Sequence, residues 1–387
     1  MFNNIGDLFT PFRQSPHDNL IRADIRGYRT NSVGINNLKM QLDDSAISGS
    51  AAIADLETLA MTFNLMINRL NLDRYLASAP AAAAKPTAAT KNAPPAAAAV
   101  ELPVELIRGL NLRGTVAVDA ATIADMRLSK VKLGLNARGG KLRVFPSEAQ
   151  LYGGQYRGDI NIDASAKTAT ASFNEAVSGV DFAPLMSDWF DTKKISGRGN
   201  FSIKANARGA NSNDLLATLA GALSVKVDNG ALEGTDLWYE IRRADALLHK
   251  RAAPAASAPE RTVFTALSAT GTISNGVLST SDVNAVTRAL KVSGGGTIDL
   301  VQSRVDMKLD AAVQKVPDDP QAAENADVVG FVVPLTVTGA LADPSVRPDL
   351  NSLAGAVVKQ KVEAKKKEVE QQLRDSLQDR LKGLFGN

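Results

Sequence analysis

The residues of this chain that could do chemistry are few and scattered. His17 and His249 are the only imidazoles, and there is no cysteine. A metal site or a general base needs a second ligand or an orienting carboxylate at fixed spacing. Neither histidine has a partner at metal-ligand spacing, and both read as solvated side chains. Neither H-E-x-x-H nor G-x-S-x-G occurs. The missing thiols exclude disulfides, thiolate metal sites and cysteine nucleophiles. The run Gly294–Gly296 before Thr297 looks like a phosphate loop, but no Lys-Ser/Thr follows and the next residues continue a strand. Gly139–Gly140, Gly153–Gly154 and the GRGN at Gly197 read instead as bulges or close sheet contacts. Asp43–Asp44 and Asp318–Asp319 stand in turn-like stretches, where Asp is at home. The expectation is no catalytic residue, no cofactor, no metal and no enzyme.

One segment has binding chemistry without catalysis. VKQKVEAKKKEVEQQLRDSLQDRLKGLF, from Val358, carries a sparse apolar stripe of Val358, Val362, Val369, Leu373, Leu377, Leu381 and Leu384, closed by Phe385. Two readings stand: a charged helix docked by one face onto the sheet or a partner, or a helix lying on an anionic membrane surface through Lys365–Lys367 and the GLF end. No aromatics interleave its basic residues, so nucleic acid is not an expected partner.

The elements behind these residues are mostly strands. From Tyr156, small or apolar residues (Tyr156, Gly158, Ile160, Ile162) alternate with polar ones (Arg157, Asp159, Asn161, Asp163), and the alternation resumes through Ala169, Ala171 and Phe173. This is the period of a half-buried antiparallel hairpin, which cannot bury its own apolar face. Further strands are expected at Thr115–Asp119, Lys130–Asn136, Leu142–Phe145, Asn200–Ala205, Ser224–Val227 and Val332–Thr338. The hairpin repeats. Leu42, Gly49, Ile53, Phe63 and Leu76 match Leu151, Gly158, Ile162, Phe173 and Met186, with a one-residue slip at the turn, and a weaker copy starts at Ala289. Such repeats stack into a quasi-one-dimensional array. Two helices interrupt it: SNDLLATLAGAL, with Gly221 near its end, and TDLWYEIRRADALLHK, with Thr235 as N-cap.

Composition divides the chain into a partial β-repeat segment (1–76), an Ala/Pro-rich linker (77–100), a larger β region (101–349) and a charged C-terminal helix (350–387). Apolar residues make up 44% of the chain but aromatics only 5%, which is thin for a compact enzyme core, and the net charge of +3 is nearly balanced. No run approaches the roughly 18 apolar residues of a membrane span. The start lacks a basic stretch followed by an apolar one, so no signal peptide is expected. The chain reads as cytosolic or as a shortened form of something longer.

Five phrases in order resemble a known family: LYGGQYRG (Leu151–Gly158), VSGVDFAPLM (Val177–Met186), ISGRGNFSIKANARG (Ile195–Gly209), LATLAGALSVKVDNGALEGTDLWYEIRRA (Leu216–Ala244) and VPLTVTGALADPSVRPDL (Val333–Leu350). Together they resemble the C-terminal region of AsmA-like proteins of Gram-negative bacteria. The resemblance implies a periplasmic, inner-membrane-anchored protein of the repeating β-groove type, though no anchor is visible in this chain. It also implies phospholipid or lipopolysaccharide acyl chains, envelope membranes and outer-membrane assembly proteins as partners.

The expected fold is therefore mainly β: a long twisted antiparallel sheet of repeated hairpins forming an apolar groove, with short helices and a charged C-terminal helix. Roughly sixteen strands at about 4.8 Å make a sheet about 75 Å long, a partial bridge between membranes. The expected groove lining is Ile47, Ile53, Phe63, Leu65, Ile160, Ile162, Phe173, Val292, Ile298, Met307, Leu309, Leu335 and Val337. Gly158, Ala171, Gly294 and Gly296 would leave room for an acyl chain. The expected membrane or partner helix uses Val362, Val369, Leu373, Leu377, Leu381, Leu384 and Phe385. The expected role is lipid binding and transfer in envelope biogenesis. The alternative is a scaffold or regulator of outer-membrane protein assembly whose apolar face is a closed core.

Overall fold

The computed structural model describes residues 21–27, 31–76, 99–190, 192–252, 254–255, 260–316, 329–349 and 352. The C-terminal helix expected over 350–387, with all its stripe residues, lies outside the described residues apart from Ser352, as do His17, Asp318–Asp319 and most of the linker.

The described strands form one sheet of 17. In chain order they are β1 (Ile21–Gly27), β2 (Val33–Leu42), β3 (Ser45–Asp55), β4 (Ala60–Asn71), β5 (Leu112–Ile123), β6 (Met126–Arg138), β7 (Lys141–Leu151), β8 (Gly154–Asp163), β9 (Ala169–Asp181), β10 (Ile195–Gly209), β11 (Ala220–Glu233), β12 (Arg261–Ser274), β13 (Val277–Thr287), β14 (Leu290–Asp299), β15 (Arg304–Val313), β16 (Val332–Ala340) and β17 (Asp343–Pro348). Each strand pairs with the next, so the sheet is a meander. The repeat is visible in it: the matched segments each run strand end, strand, strand, helix.

One pair departs from the expected antiparallel order. β4 and β5 run parallel, from Met61 beside Leu112 to Asn71 beside Thr122. A parallel neighbour needs a crossover of a dozen or more residues, and the linker and its flanks supply that length. Short contacts tie the join at both ends: Met61 N–H donates to the Asn111 carbonyl at 2.8 Å and Leu72 N–H to that of Thr122 at 2.9 Å. The Asp73 carboxylate accepts from Ala124 N–H at 2.6 Å and Asp125 N–H at 3.0 Å.

Among the described residues five helices punctuate the sheet: α1 (Asp73–Leu76), α2 (Val104–Gly109), α3 (Phe182–Phe190), α4 (Ser212–Ala217) and α5 (Leu237–Leu248). Both expected helices exist with shifted ends. α4 stops at Ala217 and Gly221 belongs to β11, because the Thr218 hydroxyl donates to the Arg208 carbonyl at 2.6 Å and turns the chain back into the sheet. The cap of α5 is Asp236, not Thr235: its carboxylate accepts from Tyr239 N–H at 3.0 Å. Helices α1, α2 and α3 are not among the expected ones, being too short for periodicity to reveal.

The phosphate-loop likeness at Gly294–Gly296 dissolves in the same way. These residues sit inside β14, where a Cβ on Gly294 or Gly296 would lie 2.3 Å from the carbonyl of Lys308 or Asp306 on β15. The glycines admit close strand approach.

Candidate functional site

Strand alternation sends every second side chain to one face, and direct partners on paired strands share that face. Following partners across the sheet from β2 gives Ile35, Ala51, Phe63, Gly114, Leu135, Val144, Ile160, Phe173, Ala205, Gly221, Ile273, Leu278, Ile298, Val305, Gly339 and Pro344. This row reaches β17 without one polar side chain.

The expected lining residues all belong to the face that carries this row. Phe63, Ile160, Phe173 and Ile298 are in the row itself. Ile53 and Ile162 lie in the adjacent row with Met61, Leu112, Ala137 and Leu142. Leu65 and Ile47 continue β3 and β4 in the other direction. Met307 pairs with Gly296 and Val337, Leu309 with Gly294 and Leu335, and Val292 with Ala311.

The protein's own helices cover part of this face. Leu237, Ile241 and Ala244 of α5 pack on Val292, Ala311, Val313, Val333 and Leu335, with Leu309 beside them. Phe182 and Leu185 of α3 cover Leu151, Val180, Val227 and Phe264. Ile107 of α2 packs with Ala164 and Ala169, against Leu142 and Ile162. Ile47 joins a cluster of strand residues around Ile67, Val118, Val131 and Ala149. Val292 and Leu335 are consequently buried, while the other lining residues are half-buried. Ile53, Phe63, Leu65, Ile160, Phe173, Ile298, Met307 and Val337 belong to none of these clusters.

A polar island interrupts the apolar face. Glu175 faces Gly158 on β8 and Ile203 on β10. The Tyr156 hydroxyl donates to Glu175 Oε2 at 2.5 Å, and Ser147 Oγ lies 3.4 Å from the same hydroxyl. Glu175 Oε1 is buried without a partner. Burial, first, pushes the Glu175 carboxyl above the usual range, against the opposing pull of the tyrosine hydrogen bond. Burial and then the Glu175 contact push Tyr156 well up. Gly158 therefore leaves no room for an acyl chain: a Cβ there would lie 2.0 Å from Glu175 Oε2 and 2.3 Å from the Tyr156 hydroxyl. The signal for Glu175 was in the alternation Ala171, Phe173, Glu175, Val177, which puts it on the inward face.

A second polar contact anchors α3. The Tyr152 hydroxyl donates to Asp188 Oδ2 at 2.8 Å, and Arg127 reaches the same oxygen at 3.2 Å. The tyrosine contact, ahead of the arginine, holds the Asp188 carboxyl below its ordinary range. His249 is not simply solvated: its Nδ1 lies 3.0 Å from Asp245, which also pairs with Arg251. Among the described residues no cluster of His, Cys, Asp or Glu could hold a metal ion, and no helix is long and apolar enough to cross a membrane.

A hollow of about 970 Å³ lies along one set of strand ends, bordered by residues of both faces. Its border residues come as triplets, such as Asn136–Arg138, Lys141–Arg143 and Asn206–Arg208. In each triplet the outer two residues point away from the apolar face. Of the expected lining residues only Ile162 borders it.

A model described as the AsmA family matches residues 14–283. The phrase Val333–Leu350 lies beyond that match. No curated protein and no solved structure matches the chain.

Proposed function

This chain belongs to the AsmA family, and from that premise we propose that it serves envelope biogenesis in the periplasm. In this reading it holds lipid acyl chains against the apolar face and supports phospholipid transfer between inner and outer membranes. The observation that carries it is the apolar row from Ile35 to Pro344. Such a row needs cover, and all the described strands belong to one sheet, so among the described residues no second sheet supplies it. Helices α2, α3 and α5 cover only parts.

An acyl chain is a suitable cover. Moving a chain of about sixteen carbons from water onto an apolar surface is worth up to about 13 kcal/mol at about 0.8 kcal/mol per methylene. Moving it from a bilayer exchanges one apolar setting for another at small net cost. The face then lowers the barrier to transfer, and the process needs no catalytic group. Ile53, Phe63, Leu65, Ile160, Phe173, Ile298, Met307 and Val337, free of the helix-covered clusters, are the residues that contact the chain. The stripe from Val362 to Phe385 supplies a membrane-surface or partner contact.

The test is organic extraction and mass spectrometry of the purified protein, with Phe173→Asp and Met307→Asp beside it. Phospholipid in the parent and at least fivefold less in either folded variant supports the reading. A folded parent without lipid overturns it and leaves the scaffold role.

A further inference from the structure

The hollow along the strand ends has a chemistry that acyl chains do not explain. Following direct partners across it gives Arg113, Asn136, Arg143, Asn161, Ser172 and Asn206 on successive strands from β5 to β10. A parallel row, one pleat nearer the strand ends, runs Arg138, Lys141, Asp163, Thr170 and Arg208. All these residues border the hollow. Neighbouring strands stand about 4.8 Å apart, so the side chains form a regular ladder on a rigid support.

Its charge is uncompensated. Arg143 is held by Asp159 at 2.7 Å and Lys141 by Asp163 at 3.2 Å. Arg113, Arg138 and Arg208 have no carboxylate partner among the described residues. A surplus of positive charge thus gathers in one hollow of a chain whose net charge is only +3. The smaller hollow near Asp43 differs: there Arg74 is paired with Asp44 at 3.0 Å.

We propose that this hollow binds a phosphorylated polyol, such as a sugar phosphate. Guanidinium forks match phosphate oxygens two at a time. The amides of Asn136, Asn161 and Asn206 and the hydroxyls of Thr170 and Ser172 match the hydroxyls of a polyol. Among the described residues no aromatic side chain borders the hollow, so these residues offer no platform for stacking nucleobases. The charged and polar residues of the site belong to the face opposite the apolar row, and the proposal does not depend on the lipid reading. The same chemistry is present in a soluble sugar phosphate and in a phosphorylated lipid headgroup.

The test is calorimetric titration of the full chain with glucose 6-phosphate, glucose and inorganic phosphate. A parallel arm measures flotation with phosphatidylcholine vesicles with and without phosphatidylglycerol. The expected result is glucose 6-phosphate binding at least tenfold tighter than glucose or phosphate. It should weaken tenfold or more in the Arg113→Ala/Arg208→Ala double variant and stay unchanged in Lys226→Ala, whose lysine pairs with Asp228 away from the hollow. Phosphatidylglycerol-dependent flotation lost in the double variant, without glucose 6-phosphate binding, supports a headgroup as the source. Equal binding of phosphate and glucose 6-phosphate, binding unaltered in the double variant, or no binding in either arm overturns the proposal.

Discussion

Glu175 is a carboxylate among Phe173, Val177 and Ile203, and its environment sets a sign that can be measured. Burial raises its folded pKa above the unfolded value, so the folded state binds the proton more tightly than the unfolded one. Its contribution to stability is then greatest below the normal glutamate range and falls as pH rises through the raised folded value. In Glu175→Gln the amide oxygen still accepts from Tyr156 and the charge is gone. Its thermal midpoint should exceed the parent's at pH 7 and converge with it near pH 4. A difference that does not change over that range contradicts the assignment. Gly158 belongs to the same unit, since it makes the space in which Tyr156 and Glu175 meet.

At the scale of elements, the helices decide how much of the apolar face stays open. Helix α5 is held by burial: Ile241 is 0% exposed among Leu290, Val292, Ala311, Val313, Val333 and Leu335. Truncating such a side chain removes its transfer energy and leaves a cavity, together about 2–5 kcal/mol. Ile241→Ala should lower unfolding stability by that amount in urea titrations, whereas Ile53→Ala, in no helix-covered cluster, should cost less than half as much. Comparable losses in both would mean that the face is closed along its length. Helix α3 adds a polar anchor, with Tyr152 and Arg127 both on Asp188.

At the scale of the whole molecule, the β4–β5 junction joins segments on either side of the linker into one sheet. Its parallel ladder, with the Asp73 contacts to Ala124 and Asp125, is a non-covalent bond between the two parts. Chains spanning residues 1–76 and 99–387, produced together, should therefore co-purify as a one-to-one complex. Separate elution of two folded pieces would show that the linker, not the ladder, holds the parts together. At about 4.8 Å per strand the sheet would extend roughly 75 Å if flat, so a transfer role calls for a partner at one end.

The amino-acid sequence by itself determined most of the strands, though not β1, β2, β12, β13 or β17, together with the repeated hairpins and the shared face of Phe63, Ile160, Phe173 and Ile298. Alternation with period two is written residue by residue, and register follows from which face must leave water. It also contained the family likeness. Only the tertiary structure decided that β4 and β5 run parallel, that α2, α3 and α5 lie over parts of the apolar face, and that Tyr156 and Glu175 close over Gly158. It alone brought Arg113, Arg138 and Arg208 around one hollow. The reason is physical: pleat and alternation depend on neighbours along the chain, whereas strand direction after a long crossover, helix docking and charge clustering depend on residues far apart in sequence.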